Sequence, residues 1–242
     1  MLHPSRWLQA VWCLAGLAQT ALAAATPTIT LDVDASDAPR GIERAHLVMP
    51  VKPGALTLLY PKWLPGEHSA DGPVGSLSGL KFVANGQTLQ WHRDPENMFA
   101  FHLEIPPGAS SLDVALEVLS VHDAALPNAA RMSTESLAII LWNQVLLYPA
   151  AVRSDDLQVA ARLKLPAGWT LATALPRAGT AADAVQFRSV SLTTLIDSPV
   201  LAGVHTRTLE LGGSPPTFLH LAADSDAATP DLLTTINTPR TQ

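Results

Sequence analysis

A chain of 242 residues accommodates one large domain or two small ones, at roughly 100–200 residues per domain. Its 48% hydrophobic fraction supplies a core and excludes wholesale disorder. Fifteen Lys and Arg against 21 Asp and Glu give a net charge of −6. No basic stripe exists to neutralise phosphates, which argues against a nucleic-acid binder.

In chain order, the first segment reads as an export signal. Arg6 precedes an apolar run over residues 7–23, which ends in the small-residue pattern Ala21-Leu22-Ala23. Cleavage there predicts a periplasmic or secreted protein starting near Ala24, with residues 24–222 as a β-rich domain and 223–242 as a polar, poorly ordered tail. The mature chain has no cysteine, so disulfides are not its staple. After cleavage no stretch is long and apolar enough to anchor it in a membrane.

The mature chain then reads as strands. Period-2 alternation marks 28–34, 42–49, 55–60, 80–84, 89–92, 98–105 and 112–119. In the second half it marks 157–165, 169–175, 185–190, 204–211 and 217–222. Asn85-Gly86 between two apolar runs predicts a tight hairpin, since both residues tolerate positive φ. The run 137–147 is apolar enough to be a central strand or a buried helical turn, and a short helical turn is expected near 191–195. Many short strands with Pro/Gly punctuation predict an all-β fold: an antiparallel β-sandwich or saddle-like β-domain with short helical turns.

Catalytic signatures are missing. No H-E-x-x-H pair is present, and Gly75-Ser76-Leu77-Ser78-Gly79 has Leu77 where a nucleophile elbow needs serine. Glu67, His68 and Asp71 form the nearest thing to a metal cluster, and His92 and His102 fall in expected strands, ten residues apart. A structural loop and half-exposed strand histidines account for these, so no metal site and no catalytic residue is assigned. The segment 60–68, YPKWLPGEH, is stiffened by Pro61 and Pro65. Trp63, Pro65 and Gly66 are its structural residues, with Trp63 expected to pack on the sandwich. Asn143 and Gln144 set two amides inside an apolar run, where they need partners or face a cleft. Asp197-Ser198-Pro199 reads as a turn or cap.

Residues 60–109, 141–149, 163–175 and 192–205, in this order, together resemble the glycyl aminopeptidase family of zinc metallopeptidases. Members of that family join an N-terminal β-rich domain to a thermolysin-like catalytic domain and a PDZ domain. The resemblance implies the N-terminal domain, with zinc expected only in the catalytic domain, whose H-E-x-x-H helix does not occur before Gln242. It implies a chain that is catalytically incompetent alone, supports the catalytic domain and walls the substrate cleft, as in a truncated family member. By analogy with related aminopeptidases, Asn143 and Gln144 are the candidates for a substrate-proximal position. The partners implied are the catalytic domain or a peptide, and self-association is expected from an uncovered face. The alternative is a stand-alone secreted module that binds peptide or protein.

Overall fold

The structure is a computed structural model that describes residues 28–64, 68–70, 72–120, 133–181 and 183–228. The expected export signal, Pro65, Gly66, Glu67, Asp71 and residues 229–242 lie outside the described residues. The strands are β1 (Thr28–Asp34), β2 (Ile42–Pro50), β3 (Gly54–Leu59), β4 (Leu77–Ala84), β5 (Gln87–Thr88), β6 (Trp91–Arg93), β7 (Ala100–Ile105), β8 (Ser111–Leu119) and β9 (Leu137–Ile140). There follow β10 (Tyr148–Pro149), β11 (Gln158–Lys164), β12 (Thr170–Ala172), β13 (Arg177–Ala181), β14 (Ala184–Phe187), β15 (Val190–Ser191), β16 (Val200–Gly203), β17 (His205–Gly212) and β18 (Thr217–Ala223). The helix α1 (Leu192–Ile196) is capped by Ser191, whose Oγ accepts the Thr194 N–H at 3.1 Å.

The large sheet runs β13-β14-β11-β1-β2-β8-β4-β5, with β15 also paired to β11. A smaller sheet, β10-β3-β7-β6, lies on its own, as do the three-stranded sheet β12-β16-β9 and the β17–β18 hairpin. The alternation of the sequence sets which face is buried. Leu31 and Val33 of β1, Leu47 and Met49 of β2, and Val114 and Leu116 of β8 are all buried in one core. Leu58 of β3 and Phe101 and Ile105 of β7 join the same core from the small sheet. The chain is therefore the all-β, sandwich-like domain that the strand pattern predicts.

Three local outcomes differ from the periodicity. The β1–β11 pair is parallel, with Leu31 opposite Ala161. The long excursion between the two strands provides the crossover that a parallel pair needs. Residues 137–149 are neither one strand nor a helix: they form β9, a 3-10 turn over Trp142–Gln144, and β10. β4 begins at Leu77, so the serine-glycine stretch is a 3-10 turn running into a strand with a bulge between Ser78 and Lys81. Asn85 and Gly86, at φ 49° and 72°, form the left-handed pair expected of the β4–β5 turn.

Candidate functional site

The outward residues of the large sheet are an ionic ladder. Arg162 of β11 is 3.3 Å from Asp32 of β1. Arg44 of β2 reaches Glu117 at 3.0 Å and Asp37 at 2.7 Å, and Lys164 reaches Asp183 at 2.7 Å. All of these residues except Asp37 line a groove of about 750 Å³. These pairs are partly exposed, where ion pairs contribute little, and Asp32 Oδ1 and Arg162 Nε have no hydrogen-bond partner.

The interior polar groups are more informative. On β2 the inward positions are Ala45, Leu47 and Met49, and the same phase turns Glu43 inward. Glu43 is buried, its Oε2 has no hydrogen-bond partner, and desolvation raises its pKa to about 7. Tyr60, where β3 leaves the sheet, is also buried with an unpartnered hydroxyl. Desolvation, followed by the Glu43 charge, pushes the phenol above its ordinary pKa. The run of β2 and β3 brings both residues to one end of the sandwich, where Ser120 N–H bonds to Gly41 and Tyr60 N–H to Phe99. Only the phase of β2, carried back from Ala45, signals Glu43 in the sequence.

Trp63 does not pack on the sandwich: it is 66% exposed. Tyr60 takes the anchoring place instead, because it still continues the inward phase of β3, whereas Trp63 falls in the loop beyond it. Lys62 lies over the Phe99 ring at 5.3 Å. Gly72 closes this loop against Pro61, whose carbonyl oxygen would stand 1.9 Å from an added Cβ, so no other residue fits there. His68 is exposed.

Asn143 and Gln144 part company on the 3-10 turn. Asn143 is buried and its Nδ2 has no partner, while Gln144 is half-buried at the turn's end. The turn is fixed by Trp142, whose Nε1–H donates to the Ser198 carbonyl at 2.9 Å and whose ring meets Phe187 edge-on at 5.7 Å. Asp197 caps the end of α1, as its sequence context suggests. The rings of His92 and His102 lie 5.1 Å apart, but both nitrogens of His102 are engaged, by Thr57 and Asp94. Among the described residues no three His, Cys, Asp or Glu side chains converge to hold a metal.

Known proteins resemble this chain in two ways. In fold, it superimposes on an aminopeptidase N family protein of Idiomarina loihiensis with a TM-score of 0.66 at 20% identity, over 84% of this chain and 35% of that one. An M1 zinc metallopeptidase of Deinococcus radiodurans aligns at 13% identity and a TM-score of 0.48, over 90% of this chain and 50% of that one. The chain thus spans about a third to a half of the length of these structures. No curated protein matches it in sequence. In sequence, residues 30–204, from within β1 to the residue after β16, match the peptidase M61 N-terminal domain model, and the chain belongs to that family.

Proposed function

We propose that this chain is the non-catalytic β-domain of an exported, glycyl-aminopeptidase-like metallopeptidase, supporting a zinc-bearing catalytic domain and walling its substrate cleft. The observation that carries the reading is where the family match stops. It ends at 204, and directly after it the β17–β18 hairpin stands as a separate two-stranded sheet. Val204, Leu211 and Phe218 are exposed there. An isolated two-stranded ribbon is marginal in water, and apolar side chains on it call for cover. A following domain of the same enzyme supplies that cover.

In this reading zinc belongs to the partner domain, and no metal step is routed through the residues of this chain. Gln144, half-buried beside buried Asn143, is the better placed of the two amides to reach a cleft. The test is reconstitution. Purified chain is mixed with the separately expressed catalytic domain of an M61 enzyme, and glycyl p-nitroanilide turnover and co-sedimentation are followed. Complex formation with raised turnover is expected. Absence of any complex, together with saturable binding of a free peptide, overturns the reading in favour of a stand-alone module.

A further inference from the structure

The outer face of the small sheet carries three side chains in hydrogen-bond series that the family reading leaves unused. Thr57 of β3 and His102 of β7 are direct cross-strand partners, with Thr57 Oγ1 3.0 Å from His102 Nδ1. The other ring nitrogen, Nε2, is 2.9 Å from Oδ2 of Asp94, the residue after β6. The second oxygen of Asp94 accepts the backbone N–H groups of Glu96 and Asn97 at 2.9 and 2.8 Å. The bond from His102, followed by these amides, holds the Asp94 carboxyl down at about 2.

Protonation follows from these contacts. An ionised carboxylate only accepts, so the neutral imidazole carries its proton on Nε2 and presents the Nδ1 lone pair to the Thr57 hydroxyl. The His92 ring lies 5.1 Å from the His102 ring, centroid to centroid. Thr57 and His102 line a cleft of about 330 Å³ together with Gln90, His92 and Glu104. A hydroxyl, a base within reach and a third group that orients the base are what acyl transfer requires.

We propose that Thr57, His102 and Asp94 form a nucleophile relay that takes the acyl group of small activated carboxylic esters bound in this cleft. Thr57 Oγ1 bonds to the ester carbonyl carbon as its proton passes to His102 Nδ1. The bond from that carbon to the leaving oxygen then breaks, and His102 returns the proton to the departing alcohol. Water, deprotonated by the same Nδ1, attacks the Thr57 ester, releases the carboxylic acid and restores the hydroxyl. Asp94 offsets the transient imidazolium charge. Gln90, which lines the same cleft, brings a neutral carboxamide N–H as the candidate donor to the oxyanion. The relay lies on β3, β7 and the residue that follows β6, and needs no catalytic-domain partner.

The experiment uses the full chain with p-nitrophenyl acetate. Rates are measured for wild type, Thr57→Val, Thr57→Ser, His102→Gln and Asp94→Asn, each checked for folding by circular dichroism, and acid-quenched protein is mapped by peptide mass spectrometry. Loss of the base or the hydroxyl is expected to slow the protein-dependent rate by roughly a hundredfold, with the serine variant active and the acetyl group on residue 57. A wild-type rate no greater than that of free imidazole overturns the proposal. So does an undiminished rate in folded Thr57→Val, or acetylation confined to His92 and lysines. Should the valine variant fail to fold, the site of acetylation in wild type and Thr57→Ser still decides.

Discussion

The carboxylate of Glu43 and the phenol of Tyr60 lie within electrostatic reach of each other inside the sandwich, and each keeps a buried oxygen without a partner. Burial raises the Glu43 pKa from 4.5 to about 7. The sign follows from proton counts. Between these two values the folded chain holds a proton that the unfolded chain has released, so stability falls as pH rises through that window. The Glu43 contribution is flat below the window and flat again above it.

The magnitude at stake is about 3 kcal/mol, from a shift of roughly two pH units and a half. Glu43→Gln keeps the shape and removes the charge. We expect it to leave the melting temperature near that of wild type at pH 4 and to raise it at pH 8. Parallel melting curves across pH 4–8 for the two proteins would rule out a buried, neutral Glu43.

Trp142, not Trp63, is the tryptophan on which the fold depends. Trp142 is fully buried and its indole satisfies the Ser198 carbonyl. Trp142→Ala is expected to cost about 3–5 kcal/mol. Trp142→Phe removes that bond and leaves the Ser198 carbonyl with only the Thr173 hydroxyl at 3.3 Å, at an expected cost of about 0.5–1.5 kcal/mol. Trp63→Ala, in solvent, is expected to change stability by less than ~0.5 kcal/mol. Urea titrations of the three variants check this order.

The strands were legible wherever one face is buried, because burial writes a period of two into residues such as Leu112, Val114, Leu116 and Val118. What periodicity does not carry is the partner of each strand. The parallel β1–β11 pair and the division into separate sheets depend on chain crossings that no local pattern encodes. Asn143 and Gln144 were conspicuous as amides in an apolar run, yet only the 3-10 turn decides which of them is enclosed. Trp63 misled for a related reason: in a proline-rich loop, side-chain size does not report direction. Asp94 and Thr57 were invisible as a pair, since they meet His102 only through cross-strand register.

The proposed export rests on Arg6, the apolar run behind it and the Ala21-Leu22-Ala23 pattern. Edman sequencing of protein recovered from the periplasm or medium is expected to begin at or near Ala24. An intact Met1 on membrane-bound material would refute a cleaved signal. Among the described residues no helix is long and apolar enough to cross a membrane.

The hairpin gives the sharpest test of an uncovered face. Leu211 is 59% and Phe218 50% exposed, on a two-stranded ribbon whose residues are mostly in solvent. Its roots are held: Thr170 Oγ1 bonds Thr206 Oγ1, Thr134 bonds Asp224, and His205 Nδ1 lies 2.9 Å from Asp226. The ribbon therefore projects its apolar tip from a fixed base, and without a covering domain the cheapest cover is a second copy of the chain. We expect the isolated protein to self-associate in sedimentation velocity runs as its concentration rises. The double variant Leu211→Lys/Phe218→Glu is expected to sediment as a monomer with an unchanged melting temperature, because neither side chain contributes to the core. Self-association that persists in the double variant would place the sticky surface elsewhere and remove the hairpin as the docking element.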